Sequence, residues 1–178
     1  MDGVLDTRSP SLADLDALVG HVQVGFESYV EFAPDGWRPP SVGREWMAEL
    51  VADPATWARL AQVGGRSVGH VAFFPARERV PDDRRHWHER PLIPGVAHLW
   101  QLFVLPAWWG RGVAPHLHAA AVTEMSARGF QQARLYTPSA HERARRFYER
   151  RGWSAHDELW NDDLGLALTE YRLTFAAR

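Results

Sequence analysis

The stretch from Leu99 to Ala114 constrains the fold more than any other part of the sequence. It begins as an apolar strand pattern, passes through a turn containing Gly110 and Gly112, and continues into an amphipathic helix pattern. Such a turn lets the backbone approach a bulky anion, because first-turn N–H groups are unpaired and glycine has no side chain. Pro115 fits this position, since a first helical turn tolerates proline. The segment therefore predicts a strand, a pyrophosphate cradle and a helix, with an ordinary tight turn as the alternative.

The rest of the chain alternates between strand-like and helix-like patterns, without internal repeats or a low-complexity linker. Strand patterns cover Val4–Thr7, Trp57–Val63, Arg66–Pro75, Ala97–Leu105, Ala133–Thr137 and Leu166–Phe175. Helix patterns follow Ser11 as N-cap, include Trp46–Val51, and run over Gly110–Arg128 and Ser139–Arg151. The segment Arg77–Gly95 predicts a long irregular loop. Interleaved strands and helices over 178 residues predict one α/β or α+β domain that spans residues 1–178.

Composition excludes several classes of function. The chain has no cysteine, so a disulfide framework, a cysteine zinc site and a thiol nucleophile are excluded. All 20 basic residues are arginine, which excludes lysine Schiff-base and P-loop chemistry. A net charge of −2 argues against a nucleic-acid-binding protein, and no apolar run reaches the ~20 residues of a membrane span. Because the N-terminus lacks a signal-peptide pattern, we expect a cytoplasmic protein.

A second informative pattern lies between Ser139 and Trp153. Ser139 and Glu142 have the spacing of a capping box, which predicts a helix start. His141, Ala144 and Tyr148 then share one face of that helix. This helix follows a short strand pattern, so the arrangement repeats the order of strand and helix seen at Leu99–Ala114.

Together the two segments resemble the GNAT acetyltransferases. Their motif Q/R-x-x-G-x-G/A is matched by Trp109, Gly110, Arg111, Gly112, Val113 and Ala114, with Trp109 in place of the usual Gln or Arg. Val104-Leu105-Pro106 resembles the family's V-x-P lead-in. The run from His141 to Trp153 resembles N-x-x-A-x-x-F-Y-x-x-x-G-F, with His141 in place of Asn.

The resemblance implies a fold and a co-substrate. The expected fold is a mixed, mostly antiparallel sheet of about seven strands flanked by helices, splayed between strands 4 and 5. The expected co-substrate is acetyl-CoA, with no metal, and the expected acceptor is an amine of a small molecule or a peptide. The coenzyme-binding residues implied are Leu102, Phe103, Val104, Trp109, Gly110, Arg111, Gly112, Val113, Ala114 and His141. A homodimer is also common in this family.

The resemblance also implies catalytic roles. Tyr148 matches the family's tyrosine near the coenzyme sulfur and is the expected general acid. His98 lies six residues before Val104, where many relatives carry a polar group near the acceptor, and is the expected general base. Strand alternation predicts that Gln101 faces away from His98. The expected reaction is direct attack of a primary amine on the thioester in a ternary complex.

Several alternatives remain open at this stage. Glu27 and Glu31 are alternative acidic groups near the acceptor, and His86, His88 and His98 could together bind a metal. The chain could also be a non-catalytic acyl-CoA-binding domain, or it could use a longer acyl-CoA. An aromatic acceptor pocket would involve Trp37, Trp46, Trp87 and Trp100.

Overall fold

A computed structural model describes residues 4–79 and 89–176, and seven strands in this part of the chain form a single sheet. The strands are β1 Leu5–Arg8, β2 Trp57–Val63, β3 Arg66–Arg77, β4 Leu92–Val104, β5 Gln132–Pro138, β6 Ser154–Asn161 and β7 Leu166–Thr174. The helices are α1 Leu15–Glu27, α2 Arg44–Ala52, α3 Val113–Ala127 and α4 Glu142–Glu149. No helix in the described ranges has the length and apolar character needed to cross a membrane.

The sheet has the strand order β1-β2-β3-β4-β5-β7-β6. Every neighbouring pair is antiparallel except β4 and β5, which run parallel. A parallel pair needs a crossover connection, and α3 provides it. The sheet is therefore mixed and mostly antiparallel, as expected from the sequence.

Two hydrophobic cores lie on opposite faces of the sheet. One lies under α3 and contains Val71 and Phe73 of β3, and the other lies under α1 and α2 and contains Ala72 and Phe74. Successive side chains of a strand point to opposite faces. β3 is therefore apolar at consecutive positions because both of its faces are buried.

Two strands differ from the sequence-based expectation. β6 has no counterpart among the predicted strands, because it is an edge strand of mostly exposed, polar residues that lacks an apolar alternation. β4 begins at Leu92 rather than Ala97, since Leu92 pairs with Arg77 of β3. The predicted loop Arg77–Gly95 is therefore partly strand, and its central residues 80–88 lie outside the described residues.

The contact between β3 and β4 gives a first prediction. A side-chain carbon on Gly69 would lie 2.6 Å from the Phe103 carbonyl oxygen and 3.0 Å from Val104 Cγ2. Gly69→Ala should therefore lower the free energy of unfolding by about 2 kcal/mol, because backbone must move. Gly20→Ala in α1, where nothing lies within 4 Å, should raise it by up to about 1 kcal/mol. Urea denaturation of both variants checks this, and equal effects would contradict it.

Candidate active site

A cleft opens in the sheet where β4 and β5 diverge. The two strands pair through three residues each, and the last pair joins His98 to Arg134. β4 continues to Val104 with a partner on β3 but none on the β5 side among the described residues. Leu102 and Val104 pack toward the core under α3, and Phe103 packs toward the core under α1. The backbone edge of this part of β4 is therefore left for a ligand.

The glycine turn predicted from the sequence lies at the end of this cleft. Gly110 and Gly112 have φ angles of 74° and 84°, which other residues rarely adopt. Gly112 is the N-cap of α3, whose first turn is anchored by Val113, 2% exposed. A side-chain carbon on either glycine would meet nothing within 4 Å. The free N–H groups, the open space and the exposed Arg111 together fit a pyrophosphate.

Trp109 has a structural role that sequence reasoning missed. Its indole Nε1 donates a hydrogen bond of 2.7 Å to the carbonyl oxygen of Val104. The guanidinium of Arg143, just after the start of α4, lies 3.9 Å from the centre of the indole ring. Trp109 therefore joins the end of β4 to the start of α4, across the mouth of the cleft.

His141 lies at the same mouth and is half-buried rather than solvated. Its ring stacks on Phe32 at 4.7 Å between centroids and meets the edge of Tyr29 at 5.5 Å. Burial, and then the charge of Arg143, lower the pKa of His141 to about 4. A cavity of about 300 Å³ opens beside it, lined by Ser28, Glu31, Phe32, Trp109, Ala140, His141, Glu142 and Arg143. At neutral pH His141 therefore presents an uncharged ring to this cavity.

Tyr148 is 9% exposed and packs in the core under α3. Its ring contacts Phe147 at 5.2 Å and Trp153 at 5.8 Å between centroids. Its hydroxyl makes no hydrogen bond within the described part of the chain. Burial raises the pKa of Tyr148, and the nearby Tyr29 phenol raises it further. The phenol therefore stays protonated at neutral pH, which a proton donor requires.

His98 is 8% exposed, and its Nδ1 has no hydrogen-bond partner in the described residues. Its ring lies between Phe74 and Tyr136, at 5.3 and 5.6 Å between centroids. Burial, and then the charge of Arg134, lower the pKa of His98 to about 3. At neutral pH this imidazole is uncharged, so it can accept a hydrogen bond from a neutral amine but retains a proton only briefly.

The family model that matches the chain is that of the acetyltransferase (GNAT) family, over residues 22–153. The chain belongs to this family. The matched residues run from α1 to the end of the second sequence motif and include both the cleft and the glycine turn. The sheet with its parallel β4–β5 pair is the GNAT fold that the sequence predicted. No curated protein matches the chain.

Solved structures with the GNAT fold align with nearly the whole chain. The PaiA N-acetyltransferase of Thermoplasma acidophilum, in complex with coenzyme A, is 15% identical with a TM-score of 0.64, and the alignment covers 94% of this chain and 98% of that chain. The ribosomal-protein-S18-alanine N-acetyltransferase of Escherichia coli is 12% identical with a TM-score of 0.70, covering 98% and 96%. An N-acetyltransferase of Staphylococcus aureus Mu50 is 13% identical with a TM-score of 0.71, covering 96% and 98%. At these identities the likeness supports the fold alone.

The prediction that Gln101 faces away from His98 is wrong. The register between β3 and β4 shifts at Trp100, which is an extra residue opposite Ala72 and Phe73. Such a β-bulge reverses the alternation that follows it. Gln101 consequently lies on the α1 face of the sheet with His98. The GNAT cleft thus has two buried polar side chains on this face where simple alternation gives one.

Tyr136 and Glu170 form a polar pair next to His98 that sequence reasoning missed. The Tyr136 hydroxyl donates a hydrogen bond of 3.0 Å to Glu170 Oε2, and Glu170 is 7% exposed. Glu170 also accepts from Arg172, so its charge is already paired. The two residues come from β5 and β7, and only the strand order brings them together.

The other candidates from the sequence are the two acidic residues and the histidines of the metal hypothesis. Glu31 lines the cavity at the mouth of the cleft, whereas Glu27 is exposed and accepts a 3.5 Å hydrogen bond from Gln23. His86 and His88 lie outside the described residues. Among the residues that the structure describes, no group of three His, Cys, Asp or Glu side chains is placed to hold a metal ion.

The tryptophans proposed for an aromatic pocket lie in two places. Trp46 and Trp100 contact each other edge to face at 4.1 Å and pack against the core under α1 and α2. Trp37 donates a 2.7 Å hydrogen bond from its indole to the Leu164 carbonyl, which joins the segment between α1 and α2 to the β6–β7 turn. Trp87 lies outside the described residues.

The capping box predicted at Ser139 and Glu142 is wrong. The N-cap of α4 is His141, without a side-chain capping bond. The Ser139 hydroxyl instead lies 2.9 Å from the Thr169 hydroxyl of β7. Ser139 therefore fixes the end of β5 to β7, and the helix begins later than the pattern predicts. Ser11, by contrast, caps its turn as predicted and forms a full capping box with Asp14.

The buried histidines predict how stability depends on pH. Burial lowers the pKa of both His70 and His98 to about 3, whereas an unfolded histidine has ~6.5. The stability they contribute is present above pH ~6.5 and is lost as pH falls toward 3, because only the unfolded chain then binds the protons. Urea denaturation should show a steady loss of stability from pH 7 to pH 5. His98→Asn should reduce that loss by up to about 2 kcal/mol. The same substitution at exposed His116 is the control, and equal losses in both variants would contradict this assignment.

Proposed function

We propose that this protein is an acyl-CoA-dependent N-acyltransferase that transfers an acetyl group from acetyl-CoA to a primary amine. The observation that supports this most is the divergence of β4 and β5 directly ahead of the Gly110–Gly112 turn. A thioester arm needs an unpaired strand edge, and a pyrophosphate needs a helix N-terminus. Both lie on one continuous segment of chain.

In this proposal the coenzyme lies along that segment. The N–H groups of Gly110, Gly112, Val113 and Ala114 bind the pyrophosphate, with the Arg111 side chain beside it. The pantetheine arm runs along the β4 edge at Leu102, Phe103 and Val104. His141, uncharged and stacked on Phe32, lies against the arm at the mouth of the cleft.

The chemistry follows from the protonation states of the two catalytic side chains. The neutral amine attacks the thioester carbonyl carbon, and its N–H is held by the unprotonated His98, which passes the proton on to water. The carbon–sulfur bond breaks as the tetrahedral intermediate collapses, and Tyr148 donates its proton to the thiolate. Because a thiol has a pKa of ~8.5, the leaving group needs only modest help from this acid.

The acceptor is an amine of a small molecule or a peptide. One of the neighbours named above is a ribosomal-protein-S18-alanine N-acetyltransferase, which supports an amine acceptor that can belong to a protein. The face of the cleft opposite α3 carries His98, Tyr136 and Trp100, so the acceptor approaches along an aromatic surface.

Coenzyme binding tests the first half of the proposal. Titration calorimetry of the parent should show micromolar binding of acetyl-CoA. Gly112→Asp should weaken it at least tenfold more than Gly112→Asn, because the two side chains are nearly isosteric and only the carboxylate repels the pyrophosphate. Asn and Asp both tolerate positive φ, so strain is matched. Equal affinities would show that the anion lies elsewhere. Binding without turnover on any amine panel would favour a non-catalytic acyl-CoA-binding domain.

Tyr148→Phe tests the general acid. We expect kcat to fall about a hundredfold while acetyl-CoA affinity and stability stay close to the parent, since the hydroxyl has no partner to lose. Tyr171→Phe makes the same change at a phenol bonded to Arg145 and Glu149. It should lower stability by about 1 kcal/mol and leave kcat unchanged. An unchanged kcat in Tyr148→Phe would remove the acid role.

A further inference from the structure

A chain of hydrogen bonds runs from Ser67, near the start of β3, to Gln101 on β4. Ser67 Oγ lies 3.2 Å from His21 Nε2, and His21 Nδ1 lies 3.0 Å from His70 Nδ1. His70 Nε2 lies 2.8 Å from Gln101 Oε1. The two imidazoles are 4% and 1% exposed, and their rings are stacked. The chain thus joins two side chains of β3 to one side chain of α1 and one of β4.

The direction of every bond follows from the Gln101 carbonyl oxygen. Because this oxygen only accepts, His70 Nε2 carries the proton and His70 Nδ1 accepts. His21 Nδ1 must then donate, and its Nε2 accepts from the Ser67 hydroxyl. Each histidine is thus neutral, and both of its ring nitrogens take part in a hydrogen bond. This agrees with the lowering of both pKa values by burial.

The chain ends on a donor that has no partner. Gln101 is 3% exposed, and its Nε2 makes no hydrogen bond in the described residues. In the structure Oε1 is held by His70, so Nε2 is turned away from His70. A buried amide without a partner costs about 1–3 kcal/mol, so native proteins usually provide an acceptor for it.

The β-bulge places this donor beside the thioester site. It puts Gln101 on the face that carries His98, one residue before the Leu102–Val104 edge assigned to the pantetheine arm. Within the part of the molecule that the structure describes, the hydrogen-bond chain contains only Ser, His and Gln side chains and no carboxylate, so the donor suits an uncharged oxygen. A neutral amide donor in a water-poor site stabilises negative charge on a carbonyl oxygen better than water does.

We infer that Gln101 Nε2 donates a hydrogen bond to the carbonyl oxygen of the bound acyl thioester and to the oxyanion that forms from it. His70 is then a positioning residue, because it binds Oε1 and so turns Nε2 toward the thioester. The inference rests on the proposed function, because it presupposes that acyl-CoA occupies the cleft.

Gln101→Glu is the decisive variant. It keeps an oxygen for His70 and replaces the Nε2 donor by a second oxygen of nearly the same shape. Gln101→Met removes both polar atoms and serves if the first variant is unstable. Gln62→Glu makes the isosteric change on β2, where the side chain contacts Arg8 outside the cleft. Thermal unfolding shows which variants are folded.

The first readout needs no turnover. Isotope-edited infrared spectra of acetyl-CoA labelled with ¹³C at the carbonyl should show a higher carbonyl stretching frequency when bound to Gln101→Glu than to the parent. Gln62→Glu should match the parent. An identical frequency in parent and Gln101→Glu would overturn the inference while the calorimetric binding still supports the coenzyme site. Absence of binding by the parent would overturn both.

The second readout is kinetic, with thiol release measured directly because the chain has no cysteine. For any amine that the parent acetylates, Gln101→Glu and Gln101→Met should each lower kcat about a hundredfold and leave the acceptor KM within about threefold. An effect confined to the acceptor KM would show that Nε2 binds the acceptor and would overturn the assignment. Full activity of Gln101→Glu with loss in Gln101→Met would show that only the oxygen matters, and would also overturn it.

His70→Phe separates positioning from packing. It should raise the carbonyl frequency part of the way toward that of Gln101→Glu, because the amide is then free to turn. Combined with Gln101→Glu it should lower kcat no further, since both changes remove the same interaction. Additive losses would show that His70 acts independently of Gln101.

Discussion

The separation of β4 from β5 after only three residue pairs is the constraint on which the rest of the structure depends. A parallel pair joined by one crossover helix must begin that helix at the carboxyl end of its first strand. Because the strands have already parted there, the start of α3 faces an opening instead of a neighbouring strand. The glycine turn, the free N–H groups of α3 and the unpaired β4 edge therefore lie in one place as a consequence of topology.

Much of this could be read from the sequence, and the exceptions have physical causes. Gly110 and Gly112 mark the turn because positive φ selects glycine, and the apolar stripe of α3 follows at once. β6 is absent from the pattern because an edge strand needs no apolar face. The bulge at Trp100 cannot be recognised from the sequence either, since Trp and Gln fit a regular strand as well as a bulged one. The position of His98 in the cleft can therefore be predicted without the bulge. The face of the sheet on which Gln101 lies depends on the bulge entirely.

The buried polar groups fall into two kinds, which clarifies what each is for. His21 and His70 use both ring nitrogens in hydrogen bonds inside the protein, so burial costs them little beyond the loss of charge. His98 Nδ1 and Gln101 Nε2 are equally buried but have no partner in the described chain. Both lie on the same face of β4, with His98 in the last pair with β5 and Gln101 beyond it, where the strand has lost that neighbour. Native proteins usually pair such buried polar atoms, so these two nitrogens are candidates for contact with a bound ligand.

Trp109 gives the clearest case of a departure from the family motif that has a structural reason. The indole donates to the Val104 carbonyl, so this oxygen is not available to a pantetheine arm. In the proposed binding mode, Val104 then offers the arm its N–H group only, and the carbonyl contacts shift along β4 toward the bulge and Gln101. The same indole lies under Arg143 at the start of α4, next to His141, the second departure. Trp109 and His141, which replace the family's usual Gln or Arg and Asn, are thus neighbours in space. Together they form one wall of the cleft mouth.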